Sequence, residues 1–308
     1  MNLKSYIKEY GILMTVLTGS TRLVRKFNNR RLSDRLDNIK HKVVTNWLYS
    51  HYKDTITDTA FKNNVSVKVE YTKIFVFWWQ GEESNSTPPI VKSCIKSIRE
   101  NGASFGEIVV LDKSNYKQYV RIPHYIEEKV ECGIIGLAHF SDILRFNLLN
   151  QHESSLWIDA TCFLFSKLPE KIKDYSFYSL KGAFEKGLKW RWTSFFMYAQ
   201  KGDLLVDNMC RFYDAYWKEH NNIVTYLVLD CWITALCKHL PRIEQEIEQL
   251  PKDGKKIFNL IAHLDNIYSN EVFNQITSET FVYKLTYKQN WPKCKDGKDT
   301  IYGHLIKS

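Results

Sequence analysis

The strongest constraint on the fold is the stretch at residues 138–165, in which a helical pattern leads directly into a buried strand. In its first part, apolar residues recur three and four positions apart, which predicts a helix. Residues 156–158 (Leu-Trp-Ile) then form a short apolar run typical of a strand that is buried on both faces, and this run ends on Asp159. Open α/β sheets bind their ligands at the carboxyl ends of such strands. Asp159 is therefore predicted to lie at a ligand-binding edge.

Three polar side chains share one face of the predicted helix. His139, Asp142 and Arg145 are spaced three positions apart, so their side chains are neighbours on a helix. Two interpretations stay open for these residues and Asp159. Either Asp142 and Arg145 form an exposed ion pair and Asp159 is a turn residue, or these residues are parts of one binding site. Their close succession on a helix and the next strand favours the site.

Apolar runs nearer the N-terminus extend the α/β pattern. Residues 73–79 (KIFVFWW) and 107–111 (EIVVL) predict strands, residues 90–101 predict a helix between them, and Pro123 begins another helix. The resulting order is strand, helix, strand, helix, helix, strand. It predicts a parallel sheet covered by helices, within a domain at residues 67–308.

The chain beyond residue 165 is predicted to complete this domain with mixed elements. These are strands at 176–180 and 281–287, helices at 203–220 and 222–240, and an exposed charged segment at 241–259. The aromatic residues 189–198 either line a site or pack in a core. Asp230 lies in an apolar helical face, so we expect it either to have a polar partner or to belong to a site.

Positive charge is concentrated near the N-terminus. Of the formal net charge of +9 on 308 residues, most falls in residues 1–64, which hold 12 Lys and Arg and 5 Asp and Glu. Residues 1–66 are predicted to form a basic helical arm, with apolar side chains on one side at Tyr6, Tyr10, Leu13 and Leu17. The arm either lies on anionic lipid headgroups or packs on its own domain or a second subunit.

The sequence lacks the features of several classes of protein. No nucleic-acid-binding motif accompanies the charge, so nucleic acid is not expected as a partner. The chain has no Gly-rich phosphate loop, no convincing signal peptide and no run long enough to span a bilayer. Its seven cysteines show no C-x-x-C spacing and fit a reduced compartment. A cytoplasmic location is therefore expected.

Three motifs carry a resemblance to a known family, and they occur in this order: KIFVFWWQG at 73–81, AHFSDILRFNLL at 138–149 and LWIDAT at 156–161. Over about residues 70–240 the chain resembles the capsular polysaccharide synthesis branch of glycosyltransferase family 32, which is similar in its core to the large clostridial glucosylating toxins. The resemblance implies a GT-A fold, with a nucleotide-sugar half at about 70–165 and an acceptor half at about 166–308. It also implies a Rossmann-like, mixed and mainly parallel sheet flanked by helices, and a retaining transferase that moves a sugar from a UDP-sugar to an oligosaccharide or lipid-linked glycan. The basic arm would hold such an enzyme near a lipid-linked acceptor at the inner face of the cytoplasmic membrane.

The resemblance implies roles for particular residues. Trp79 matches the tryptophan that stacks on the nucleotide base, with Gln80 beside it. Asp142 and Arg145 match the pair that binds hydroxyls of the donor sugar. Asp159 matches the first acid of the Asp-x-Asp motif, which holds the ribose and a divalent metal.

This chain departs from the family pattern at the metal motif. Thr161 stands where the second carboxylate is usual, and Mn²⁺ or Mg²⁺ prefers charged oxygen ligands, so the case for a metal at Asp159 is weaker. Lys284 or Lys288 offers another way to stabilise the leaving diphosphate. Asp230 is a candidate on the acceptor side or beneath the sugar. The alternative function is a catalytically silent protein of this fold that binds a nucleotide sugar or a carbohydrate.

Overall fold

The chain forms a mixed α/β structure. The computed structural model describes residues 3–27, 30–59, 71–183 and 191–307. The α-helices are α1 (Leu3–Lys26), α2 (Arg30–Tyr52), α3 (Pro89–Gly102), α4 (His124–Glu131), α5 (Leu137–Gln151), α6 (Leu204–Glu219), α7 (Val228–His239), α8 (Pro241–Gln249), α9 (Asn270–Thr277) and α10 (Ile301–Leu305). The strands are β1 (Lys73–Phe77), β2 (Glu107–Leu111), β3 (Ser154–Ile158), β4 (Cys162–Leu164), β5 (Phe177–Ser179), β6 (Phe196–Gln200), β7 (Val282–Lys284), β8 (Cys294–Lys295) and β9 (Lys298–Asp299).

A five-stranded sheet with the order β2-β1-β3-β6-β5 forms the centre of the fold. Strand β1 pairs parallel with both β2 and β3, and β6 runs antiparallel between β3 and β5. Four of the five strands therefore point in one direction. The predicted fold class, a mixed and mainly parallel sheet with helices around it, is confirmed, and so is the order of the first elements.

The chain divides into two compact units, each built from three segments. The first, which we call the helical unit, consists of Met1–Lys62, Arg121–Asn147 and Leu204–Ile247. The second, which we call the sheet unit, consists of Asn63–Val120, Leu148–Asp203 and Glu248–Ser308. All the strands named above belong to the sheet unit. The predicted domain boundary near residue 66 lies outside the described residues, and the two predicted halves were continuous whereas these units are interleaved along the sequence.

Glycines allow close packing where α3 leads into β2. A Cβ atom added at Gly102 would lie 3.2 Å from the Cδ1 atom of Ile74. At Gly106 the approach is tighter, because a Cβ atom would lie 2.3 Å from the carbonyl oxygen of Thr72. Only a residue without a side chain fits at that distance, so Gly106 lets the chain enter β2 directly beside the start of β1.

One face of α1 packs inside the helical unit. Tyr6, Tyr10 and Met14 are at most 6% exposed, so this face has partners in its own unit. Leu13 was predicted to share one side of the helix with Tyr6 and Tyr10, but that side chain is 63% exposed and Met14 is buried with the two tyrosines instead. Gly11 has a left-handed backbone (φ 77°, ψ 175°) that interrupts the helix and shifts which side chains face inward.

The helix predicted to begin at Asn222 begins six residues later, at Val228. The carboxylate of Glu9 accepts hydrogen bonds from the backbone N–H groups of Asn221 and Asn222 and from the side-chain amide of Asn222. These bonds hold Asn222 in a loop. A local pattern could not reveal them, since Glu9 lies more than 200 residues away in the sequence.

Two later segments bury more apolar surface than predicted. In the segment 241–259, which was predicted to be exposed, Ile243 and Ile247 are fully buried beneath the charged face of α8. In the aromatic segment 189–198, residues 189 and 190 lie outside the described residues, and β6 is buried in the sheet. For the described part of that segment, the core interpretation is correct.

Candidate functional site

The predicted motif carboxylate forms a compact cluster in the sheet unit, which we call the Asp159 cluster and define as Trp157, Asp159, Thr161 and Lys284. The Nζ atom of Lys284 lies 2.7 Å from Oδ2 of Asp159 and donates to Oγ1 of Thr161 at 2.6 Å. The indole N–H of Trp157 donates to the other carboxylate oxygen of Asp159 at 2.8 Å. Both oxygens of the carboxylate are therefore engaged.

Strand pairing fixes this geometry. Strand β3 ends one residue before Asp159, whose carbonyl accepts the N–H of Cys162 at 2.8 Å, so the chain turns tightly into β4. Strand β4 pairs antiparallel with β7, and this register places Lys284 opposite Cys162. The predicted late strand is shorter than expected, but it carries Lys284 to the carboxyl end of β3.

The ammonium group of Lys284 is stabilised in its charged form. Burial disfavours the charge, but the negative charge of Asp159 and its hydrogen bond outweigh burial, so the pKa of Lys284 is raised above its ordinary value. The side chains of Lys284 and Asp159 keep 18% and 29% of their surface exposed. The pair is therefore charged, fixed in place and partly accessible to solvent.

Aromatic rings connect Trp79 to the Asp159 cluster. Trp79 follows β1, the neighbour of β3 in the sheet, and its ring lies 6.1 Å from that of Phe77. The ring of Phe77 lies 6.3 Å from that of Trp157, the donor to Asp159. Trp79 is partly exposed, and the ammonium of Lys113 lies 5.8 Å from its ring centre. An aromatic face and a carboxylate thus share the carboxyl edge of two adjacent strands.

Two other candidates lie apart from these contacts. Gln80 is exposed in the turn after β1. Lys288 is exposed beyond β7, where its backbone N–H donates to the hydroxyl of Thr286. Their predicted roles stay predictions, and no contact described here links either side chain to the Asp159 cluster.

A second cluster lies in the helical unit. We call it the Asp142 cluster and define it as His139, Asp142, Arg145, Tyr213, Trp217 and Asp230. Nη1 of Arg145 lies 2.6 Å from Oδ1 of Asp142, and the side chains of Arg145 and Asp142 are 3% and 20% exposed. This is a largely buried pair, unlike the exposed ion pair that is common at this spacing. Burial makes the pairing obligatory for the arginine.

Trp217 orients His139 toward the same carboxylate. Its indole N–H donates to Nε2 of His139 at 3.1 Å. Burial lowers the pKa of His139 to about 3, so the ring is neutral and its single proton is left on Nδ1. Nδ1 lies 3.8 Å from Oδ2 of Asp142, which is longer than a hydrogen bond but within reach of a small side-chain movement.

Tyr213 brings Asp230 into electrostatic range of this cluster. Burial raises the pKa of Tyr213 well above its ordinary value; the charges of Asp142 and Asp230 add to this rise, and that of Arg145 opposes it. The Tyr213 hydroxyl is buried and has no hydrogen-bond partner in the part of the chain that the structure describes. Asp230 is buried in the first turn of α7. The charges of Asp142 and Asp230 therefore both act on the Tyr213 hydroxyl, and the role of Asp230 at a site stays a prediction.

The predicted site residues thus fall into two groups. Asp142, Arg145 and Asp230 belong to the helical unit, whereas Trp79, Asp159 and Lys284 belong to the sheet unit. In the sheet unit, Gln80 and Lys288 lie outside the contacts that link Trp79, Asp159 and Lys284.

Comparison with known proteins adds the family. The sequence profile described as "Capsular polysaccharide synthesis protein" matches residues 23–305. The chain belongs to this family. The match confirms the capsular polysaccharide resemblance and extends beyond the segment from 70 to 240 on which the resemblance rests.

Individual proteins are less similar to this member of the capsular polysaccharide synthesis family than the family profile is. No curated protein sequence matches it. Among solved structures it is similar to the apo structure of WbbM, a bifunctional glycosyltransferase, with a TM-score of 0.38 and 9% sequence identity over 82% of this chain and 50% of that chain. The chain thus spans about half the length of that protein.

The residues at the motif of this family chain do not suit a divalent metal ion. One carboxylate and one hydroxyl are present at positions 159 and 161, and an ammonium group already binds both. Mn²⁺ and Mg²⁺ require several oxygen ligands and are repelled by an adjacent ammonium. Among the described residues, no group of three or more His, Cys, Asp and Glu side chains could hold a metal ion.

Sequence patterns missed Trp157, Tyr213 and Trp217. All three are almost fully buried. Trp157 was predicted only as part of a buried strand, and Tyr213 and Trp217 only as part of the helix at 203–220. One signal was available for Trp157, since an indole N–H two residues before a carboxylate needs a partner when it is buried. Tyr213 and Trp217 are four residues apart on α6, a spacing equally typical of core packing.

Two general findings complete the description. All seven cysteines are free. None of the helices in the described ranges is both long and apolar enough to cross a bilayer.

Proposed function

We propose that this protein is a glycosyltransferase that moves a sugar from a UDP-sugar to a glycan acceptor during the synthesis of a surface polysaccharide. Membership of the capsular polysaccharide synthesis family supports the process. The observation that carries the proposal is the Asp159 cluster, in which a paired carboxylate and ammonium group, both partly exposed, lie where a parallel strand ends. Ligands of α/β sheets bind at this edge.

The sheet unit offers groups suited to a nucleotide. The partly exposed ring of Trp79 provides a face on which uracil can stack, and Asp159 provides an acceptor for ribose hydroxyls. Lys284 provides a positive charge for the diphosphate. Trp79 and Asp159 follow adjacent strands, as the two ends of one nucleotide require.

The helical unit offers groups suited to sugar hydroxyls. The Asp142 carboxylate accepts hydrogen bonds, and Arg145 presents a planar set of donors. Arg145 binds one oxygen of Asp142 at 2.6 Å, so the carboxylate is oriented before any ligand binds, and Nδ1 of His139 lies 3.8 Å from the other oxygen. Such preorganisation lowers the entropy lost on binding. In this proposal, Asp230 lies close enough to the pair to contact the sugar or the acceptor.

The proposed reaction retains the anomeric configuration. The bond between the anomeric carbon and the β-phosphate oxygen breaks, and its electron pair stays on that oxygen. The acceptor hydroxyl oxygen bonds to the anomeric carbon on the same face, and its proton passes to the departing phosphate oxygen. A fixed cation next to the leaving phosphate stabilises the charge that develops there.

The proposal includes a peripheral contact between α1 and the inner face of the cytoplasmic membrane. The side of α1 that does not pack inward exposes Ile12, Leu13, Val16 and Leu23, each by more than half of its surface. Exposed basic residues accompany them, at Lys4, Lys8, Arg22 and Lys26. Apolar side chains framed by Lys and Arg fit a surface of anionic lipids, which is where a lipid-linked acceptor would be found.

Product analysis tests the function. Purified protein is incubated with a panel of UDP-sugars and candidate glycan acceptors, and free UDP and the anomeric configuration of the product are measured. We expect UDP release from at least one donor and a product with the configuration of that donor. A product of inverted configuration would refute the retaining mechanism, and nucleotide binding without turnover of any donor would favour the silent binding protein.

A further inference from the structure

Lys284 occupies the position that bridges the two motif residues. Its ammonium group lies 2.7 Å from the carboxylate of Asp159 and 2.6 Å from the hydroxyl of Thr161. A cation that bridges the side chains of positions 159 and 161 must lie at this point. In this chain the bridging cation is covalently part of the protein.

We propose that Lys284 takes the place of a divalent metal, so that this chain binds the diphosphate of its nucleotide ligand without a metal ion. This inference rests on the proposed function, because the ligand is the nucleotide of the donor. An ammonium has three N–H groups. Two of them reach Asp159 and Thr161, and the third is left for a phosphate oxygen on the solvent side.

The fold holds the ammonium in place. The backbone N–H of Lys284 donates to the carbonyl of Ile257 at 2.8 Å, and β7 pairs with β4 on its other side. The Nζ atom also lies 4.9 Å from the centre of the Phe195 ring. The charge is therefore anchored by a strand, a carboxylate, a hydroxyl and an aromatic face. A bound phosphate would meet a cation whose position is already set.

Thr161 suits an ammonium better than a divalent metal. An ammonium requires acceptors for its N–H groups, and one carboxylate with one neutral hydroxyl satisfies two of them while leaving the cluster without excess negative charge. With a second carboxylate the pair would carry a net negative charge toward the diphosphate, which a divalent ion would have to offset. The threonine at position 161 and the contact that Lys284 makes with it therefore have the same explanation.

The competing explanation is a purely structural ion pair. In that case Lys284 supports the turn between β3 and β4, and its replacement lowers stability without altering nucleotide affinity. Binding of UDP separates the two explanations, because it measures the diphosphate contact without requiring an acceptor or turnover.

The experiment measures UDP binding by titration calorimetry with the full chain, in EDTA and again with Mn²⁺, and measures Mn²⁺ binding by electron paramagnetic resonance. We expect UDP to bind in EDTA with an affinity that Mn²⁺ changes less than about twofold. Lys284→Met is expected to weaken binding in EDTA by about tenfold or more, the equivalent of one charge-assisted contact. Lys284→Arg, which keeps the charge, is expected to lose less. Lys298→Met, at an exposed lysine on β9, is the matched control and should bind as the wild type does.

A gain-of-function variant keeps the inference testable even if Lys284→Met folds poorly. Thr161→Asp combined with Lys284→Ala provides two carboxylates and removes the ammonium. We expect this variant to bind Mn²⁺ and to bind UDP only when Mn²⁺ is present, whereas the wild type shows no bound Mn²⁺ signal.

The outcomes separate this inference from the proposed function. If UDP binding by the wild type requires Mn²⁺, the inference is wrong and the proposed function stands. Unchanged UDP affinity in a folded Lys284→Met variant also overturns the inference. If UDP binds in EDTA through Lys284 but no donor is turned over, the inference stands and the transferase does not. Absence of UDP binding under every condition overturns both.

Discussion

Trp217 donates its indole N–H to Nε2 of His139 at 3.1 Å, and this bond directs the other ring nitrogen of His139 toward Asp142. Trp217 and His139 are 78 residues apart in the sequence and are both buried. The arrangement makes Trp217 a positioning residue for Asp142, acting through the neutral imidazole.

Replacing Trp217 by Phe should impair use of the donor sugar while sparing the nucleotide. Loss of the indole donor frees the His139 ring, so its Nδ1 is no longer directed toward the Asp142 carboxylate. We expect kcat/KM for the UDP-sugar to fall by about tenfold, the effect of a small misplacement at a binding group, with UDP affinity changed less than about twofold. Steady-state kinetics and calorimetry on the same protein measure both quantities.

Trp232→Phe is the matched control for this variant. Trp232 is another fully buried indole of the helical unit, stacked on Phe212, and it does not contact His139. Both variants should lose similar thermal stability, but only Trp217→Phe should lose donor turnover. Equal losses of turnover would reduce the role of Trp217 to packing.

The buried pair of Arg145 and Asp142 should be costly to break. Asp142→Asn leaves a guanidinium that is only 3% exposed without the carboxylate at 2.6 Å, and we expect the free energy of unfolding to fall by about 2 kcal/mol. Donor turnover should fall by about 100-fold if Asp142 also binds the sugar. Urea unfolding and nucleotide-release assays measure the two effects.

An exposed ion pair provides the comparison for stability. Lys96 and Glu100 on α3 are 3.9 Å apart and more than half exposed. Glu100→Gln is expected to change the free energy of unfolding by less than about 0.5 kcal/mol. If Asp142→Asn proves no more destabilising than Glu100→Gln, the buried description of the Asp142 pair is wrong.

His139 should make the fold sensitive to acid. Its pKa is about 3 in the folded chain and near 6.5 when unfolded, so between these values the unfolded chain binds a proton that the folded chain does not. Stability from this group is therefore present above pH 6.5 and is lost as the pH falls. From pH 7.5 to 5.5 the loss should be about 1.4 kcal/mol. The His139→Gln variant keeps an acceptor for Trp217 but does not titrate at this position. Between pH 7.5 and 5.5, its free energy of unfolding should therefore fall by about 1.4 kcal/mol less than that of the wild type. Parallel pH profiles for the two proteins would contradict this account.

The elements of the sheet unit could be predicted because each is coded locally. Short apolar runs ended by Asp or Gly marked the first three sheet strands, and Asp159 was placed correctly at the end of β3. The contact between Asp159 and Lys284 could not be derived in this way, since it joins residues 125 positions apart. Lys284 was named for its charge alone, and the β4–β7 register was needed to distinguish it from Lys288.

The helical unit was harder to predict for the same reason. Its three segments are separated by parts of the sheet unit, so its contacts are long-range. The late start of α7 depends on Glu9 holding Asn222, and the turned face of α1 depends on the backbone of Gly11. Local periodicity reports which side chains are apolar, but not which distant group fixes the first residue of a helix.

The exposed face of α1 should bind anionic membranes. Leu13→Gln combined with Val16→Gln removes two apolar side chains that are each more than half exposed. We expect affinity for vesicles of phosphatidylglycerol and phosphatidylcholine to fall by about tenfold, as partial loss of apolar burial predicts, with little effect on folding. Ile267→Gln, at an exposed apolar residue outside α1, should bind as the wild type does. Equal binding of all three proteins in vesicle sedimentation would exclude α1 as the contact.

The central claim is that Asp159, at the carboxyl end of β3, serves the turnover of a nucleotide sugar. The most direct test is the rate of UDP release from a panel of UDP-sugars by the wild type and by Asp159→Asn, with folding of both proteins verified by circular dichroism. The account predicts release from at least one donor by the wild type and a rate at least about 100-fold lower for the variant. Release at the same rate by both proteins, or no release from any donor by the wild type, would contradict it.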